Sequence, residues 1–148
     1  MSLETWLSNR WLTEHRTSRE EVADLLAVVD RDIADAAIER LSPDWRLGIA
    51  YNAALQLAML ALAAAGYRPD RQRAHERAIL SLEFTIGLDS ETVATLDGVR
   101  RMRNRSNYEH AGTASRSEAE EVFQIAVSLR GRLLEWLRTH HPTLLAGS

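Results

Sequence analysis

A chain of 148 residues at net charge −3 is long enough for one domain with its own apolar core, and that charge excludes a global basic field for recruiting nucleic acid. There is no cysteine, which excludes disulfides, thiol nucleophiles and cysteine-bound zinc. Every one of the 18 Lys/Arg positions is arginine, a bias that Arg- and Ala-rich codon usage explains without selection for planar guanidinium groups.

From the N-terminus, Met1 to Trp11 mixes acid and base with its apolar residues and lacks a basic start followed by a long apolar core. No signal peptide is expected, and a cytoplasmic location is the default. Leu3, Trp6, Leu7 and Trp11 mark a short amphipathic turn or helix in a segment, 1–16, that packs on the body or on a partner. Thr17 and Ser18, each with a Glu three positions on, form two overlapping capping boxes. The helix they open carries Val22, Leu25, Leu26, Val29, Ile33 and Ile38.

Ser42-Pro43-Asp44 opens the next helix, since Ser accepts from the first free amides and Pro at the first position has no donor to waste. Gly66 caps it and Pro69 blocks continuation. Its apolar run, Ala53 to Ala65, is interrupted only by Gln56 and is too short for a comfortable bilayer span, so it reads as a buried helix and no membrane partner is expected. The face of Leu47, Ala50, Ala54, Leu57, Ala58 and Ala61 is rich in small residues and suits a central position.

A third helix is predicted over about 71–84, with Ala74, Ala78, Ile79 and Leu82 inside. Asp89 or Ser90 caps a fourth, carrying Val93, Leu96, Val99 and Met102, and Ser115 or Ser117 caps a fifth, carrying Val122 to Leu137. His140-His141-Pro142 ends it. No segment shows sustained period-two alternation, and the loops are short. The expectation is an all-α, up-and-down bundle of four to five helices spanning 17–139, consecutive helices antiparallel, followed by a tail at 140–148.

The chemistry-bearing stretch is Arg100 to His110, with four arginines, two asparagines and a histidine. At about 100° per residue, Arg103 and His110 fall within roughly 20° of each other, two turns apart, whereas Arg105 and His110 differ by about 140°. Arg103 and His110 also project beside Leu96 and Val99, so both are expected to be half-buried, at an interface. Cations near a helix C-terminus are favoured by the macrodipole, so a solvated helix end is the bland account of the cluster. The functional account is phosphate binding by the guanidinium fork and proton transfer by the imidazole, which together suffice for metal-free cleavage of RNA. His75 lacks a second His four residues on, and His140-His141 reads as a helix end. No glycine-rich phosphate loop or nucleophile elbow is present. Asp30, Asp32, Asp35 and Glu39 lie along one helix mainly toward solvent, and no metal or cofactor is expected.

Two segments carry a family resemblance: Tyr51-Asn52-Ala53-Ala54-Leu55-Gln56-Leu57-Ala58 running on to Tyr67-Arg68, and Arg103-Asn104-Arg105-Ser106-Asn107-Tyr108-Glu109-His110. They resemble the second-helix signature and the RNase motif of the HEPN superfamily (higher eukaryotes and prokaryotes nucleotide-binding), over about 18–137. In that motif an Arg, usually followed by a polar residue, precedes a His by roughly four to six intervening positions. Two registers fit. Arg103 is followed by Asn104, and Arg105 by Ser106; the helical angle and the Asn favour Arg103, with Arg105 as a second phosphate contact.

The resemblance implies a helical bundle that dimerises through its motif helices, and a metal-independent endoribonuclease, the toxin of a toxin–antitoxin pair. Arg103, Asn104 and His110 would be catalytic, with Arg105, Asn107 and Tyr108 as nucleotide or phosphate contacts. The other implied class is a non-catalytic module that binds a nucleotide or docks on an antitoxin or nucleotidyltransferase partner, with Tyr108 a target for modification.

Overall fold

The computed structural model describes residues 1–104 and 114–145. Its architecture is organised by α3 (Pro43–Ala65), which starts where the Ser42 hydroxyl accepts from the Trp45 N–H and ends at Gly66 in the left-handed region, φ 103°. Fifteen of its 23 residues are buried, so it is enclosed on nearly every side, the buried central helix expected from its apolar run. By length and composition α3 could cross a membrane, but 72% of its apolar window is buried inside the protein. It is the core helix.

Four helices surround it. α2 (Arg19–Ala36) and α6 (Arg116–His140) pack most extensively on α3, with α4 (Ala74–Thr85) and α5 (Ser90–Asn104) completing the cover. Ala50, Ala53, Ala54, Ala58 and Ala61 are fully buried, and their small side chains let the neighbouring backbones come close. Three of these four starts have their predicted chemistry: Ser18 accepts from the Glu21 N–H, Asp89 accepts from the Thr92 N–H and hydroxyl, and Ser115 forms a reciprocal capping box with Glu118. The fold is thus mainly helical.

Four expectations need correction. α2 stops at Ala36, and Ile38 lies beyond it, 48% exposed. Asp32 does not face solvent; it is 5% exposed and accepts from Asn52 Nδ2 at 2.6 Å and from Arg31 Nε at 3.1 Å. α4 begins at Ala74, after Arg73 takes a left-handed conformation at φ 57°. Finally, α6 follows α5 in the chain but packs on α3, while α5 packs on α4 and α3. A groove is left between α5 and α6, about 300 Å³ near Leu88, Ile125 and Leu129 and about 210 Å³ near Leu47, Val99 and Met102.

The N-terminal segment is integral to the body. α1 (Leu3–Ser8) buries Trp6 edge-to-face between Trp11, at 5.7 Å, and Phe84, at 5.4 Å, and the Arg77 guanidinium lies 3.9 Å over the Trp11 ring. Next comes a two-stranded antiparallel ribbon absent from the sequence reading: β1 (Leu12–Glu14) pairs with β2 (Tyr67–Pro69), Leu12 opposite Pro69. Strands of three residues cannot display alternation. At the other end, the segment after α6 makes a 3₁₀ turn (Pro142–Leu144), and Arg19 Nε donates to Thr143 O at 2.7 Å, returning the chain to α2.

At the junction of β1 and α2 one carboxylate, Glu21, is held by two side chains. The Thr17 hydroxyl donates to Glu21 Oε1 at 2.6 Å, and His15 Nε2 lies 2.7 Å from the same oxygen. The Thr17 bond first, and the His15 bond next, hold the Glu21 carboxyl below its ordinary 4.5. A group with a depressed folded pKa adds stability above its unfolded value and loses it as pH falls through the folded one. Glu21→Gln should therefore lower Tm at pH 7, modestly because the group is part-exposed, and leave it unchanged in acid below that transition. Equal Tm losses at both pH values would contradict this linkage.

Candidate functional site

The last two turns of α5 carry its cations. Asp97 accepts from Arg100 Nε at 2.8 Å and pairs with Arg101 Nε at 3.4 Å, the i,i+3 and i,i+4 partners that helix geometry offers. The Asp97 and Arg100 side chains are largely covered, whereas that of Arg101 is 65% exposed. Arg103, one turn further, has no carboxylate partner among the described residues. Its Cζ lies 5.8 Å from the centre of the Tyr51 ring on α3.

That approach depends on a glycine. Gly48 sits inside α3, where glycine costs roughly 0.5–1 kcal/mol relative to alanine. A Cβ built there would meet the Arg103 guanidinium, with Cζ at 3.1 Å and Nη2 at 3.5 Å. The missing methyl leaves a notch that the guanidinium fills. Gly48 and Tyr51 are three residues apart, hence on one face, and Arg103 rests across both.

Tyr51 is 5% exposed, and its hydroxyl has no hydrogen-bond partner among the described residues. Burial pushes its pKa up to about 12; Arg100 and Arg103 act in the opposite direction, and Asp97 adds to the rise. At neutral pH the phenol is a proton-bearing donor beside two guanidinium groups. Asn52, the next residue, turns about 100° away and donates to Asp32 on α2. Consecutive residues of α3 thus serve different neighbours: Tyr51 the arginines, Asn52 the α2–α3 contact.

The chain beyond 113 returns to the same helix. The Ala114 N–H donates to Asp44 Oδ1 at 3.1 Å in the first turn of α3. Asp44, Gly48 and Tyr51, at spacings of four and three, form one ridge of α3 that is touched from both sides of segment 105–113. Trp45, also in that first turn, is 68% exposed.

Of the residues singled out in sequence, Arg103 is placed at this ridge. It is exposed rather than half-buried, because it extends past the buried Leu96 and Val99 of its own stripe to the rim of the bundle. Asn104 is the last residue of α5. Arg105, Asn107, Tyr108 and His110 lie outside the described residues, as does the two-turn alignment of Arg103 with His110. Sequence reasoning left Gly48, Tyr51 and Asp97 out of the site. A lone glycine and a polar aromatic, three apart in an alanine-rich helix, were the available signal.

The remaining polar clusters are structural. Arg46, 8% exposed, donates to Ala36 O at 2.8 Å and Glu120 Oε2 at 2.9 Å, joining α2 and α6 to α3. His75 is exposed on α4. His141 caps α6 through its N–H to Leu137 O, with its ring against Trp136 and its pKa lowered chiefly by burial. The α5–α6 groove is lined by Glu118 and Glu121 at one end and by Asp89, Glu121 and Arg132 at the other.

Compared with known protein families, curated proteins and solved structures, the chain matches none. The geometry alone describes it: a helical bundle in which Arg103 of α5 rests over Gly48 and Tyr51 of the central helix.

Proposed function

We propose that this chain is a HEPN-like bundle acting as a metal-independent endoribonuclease, the toxin half of a toxin–antitoxin pair, working in the cytoplasm as a homodimer. The reading is carried by one observation: Arg103, without an acid partner among the described residues, lies over Gly48 and Tyr51 immediately before the segment that contains His110. In this reading the His110 imidazole takes the proton of a ribose 2′-hydroxyl, whose oxygen attacks the adjacent phosphorus. The bond from phosphorus to O5′ breaks, and the protonated imidazole delivers its proton to the leaving oxygen. Arg103 carries the charge that accumulates on the phosphoryl oxygens, Asn104 supports it, and Arg105, Asn107 and Tyr108 contact neighbouring groups.

The test is digestion of single-stranded RNA by the purified chain, free of any antitoxin, in excess chelator. Fragments ending in 2′,3′-cyclic phosphate and 5′-hydroxyl are expected, with a 2′-deoxy strand left whole. RNA that stays intact ends the reading. A second reading is a non-catalytic module that binds a nucleotide and docks on a nucleotidyltransferase. It draws on the fact that the described rim carboxylates are engaged, Asp97 by Arg100 and Arg101 and Asp44 by the Ala114 N–H. Nucleotide binding without cleavage would select it.

A further inference from the structure

We infer that the N-terminal half of α3 is a nucleotide-binding face for single-stranded nucleic acid, with a base stacked on Trp45 and the adjoining phosphate on Arg103, seated by Gly48 and Tyr51. Trp45 is 68% exposed, while Trp6 is 4% exposed and Trp11 and Trp136 are part-buried and engaged in ring contacts. A large aromatic ring left in water, with no ring partner among the described residues, gains from a planar ligand. Trp45 and Gly48 are three residues apart, so the indole and the notch are neighbours on one helical face at about 5–6 Å, the scale of the step from a base to its phosphate.

Each element has a distinct part in recognition. The indole offers a π-face to any base, which makes binding tolerant of sequence. The notch and the Tyr51 ring hold the guanidinium across the helix, so less side-chain freedom is lost when it meets phosphate. Gly48 and Tyr51 are positioning residues. Asp44 in the same turn accepts from the Ala114 N–H and places a carboxyl group on this face.

The inference deepens the proposed function but is tested without cleavage, on a 2′-deoxy strand that the reaction cannot cut. Titrating a short oligodeoxynucleotide should quench tryptophan fluorescence. Trp45→Ala should remove the quench and weaken binding roughly tenfold, while Trp45→Phe retains most of the affinity. Gly48→Ala should displace the guanidinium and weaken binding several-fold with Tm unchanged or raised, because alanine is the better helix former. In an Arg103→Ala background the same Gly48→Ala change should have no further effect on binding. Trp45→Ala or Gly48→Ala binding as the parent does would overturn the inference, as would a Trp45→Ala variant that only dissociates a dimer. An oligonucleotide that binds as expected beside RNA that is never cut retires the nuclease and leaves the binding face standing.

Discussion

Leu57→Ala should lower the free energy of unfolding by about 3–5 kcal/mol, one of the largest losses available to a single substitution in this chain. Leu57 is fully buried at the centre of α3, among Ala50, Ala53, Ala54, Ala58 and Ala61. The helices around α3 are already packed close against its alanines, which leaves little room for them to move in and refill the space. The loss is therefore both transfer of the removed carbons and an unfilled cavity. A fall in Tm of roughly 10 °C follows for a domain of this size. Val127→Ala, at a position 40% exposed on α6, should stay within about 0.5 kcal/mol. Urea titrations of the two variants beside the parent decide the matter. A Leu57→Ala loss below about 1 kcal/mol would mean that α3 is not the centre of the core.

The parts of this fold legible in sequence were those decided within a few residues. Ser18, Ser42, Gly66, Asp89 and Ser115 mark helix ends because capping is local hydrogen-bond chemistry, and each lies where the spacing placed it. What was lost depends on partners far along the chain. Asp32 is buried because Asn52, twenty positions away, donates to it, and one helix read alone gives its carboxylate no reason to leave water. The β1–β2 ribbon unites residues more than fifty positions apart through backbone bonds that carry no side-chain signature. The site divides in the same way. The cation run was plain in the sequence, but Arg103 acquires its setting from Gly48 and Tyr51 on another helix.

On the proposed nuclease reading, His110→Ala is expected to lower kcat for RNA cleavage by about 10³-fold with the fold intact, since it removes the only imidazole in the motif and general acid–base catalysis is worth roughly 10²–10⁴. Arg103→Ala should reduce kcat by a comparable 10²–10³, as expected when one preorganised donor to a developing oxyanion is removed. Arg103→Lys should recover little, because an ammonium neither spans two phosphoryl oxygens nor lies flat in the Gly48 notch. Salt dependence separates charge from chemistry. On a single strand each lost phosphate contact should lower the log–log salt slope of binding by about 0.7, so Arg103→Ala shifts that slope and His110→Ala leaves it unchanged. The same measurements decide the register, since Arg105→Ala should act on binding while sparing kcat if Arg103 is the catalytic cation. A His110→Ala protein that cuts at the parent rate would remove the imidazole from the reaction and leave this rim as a place where nucleic acid is held.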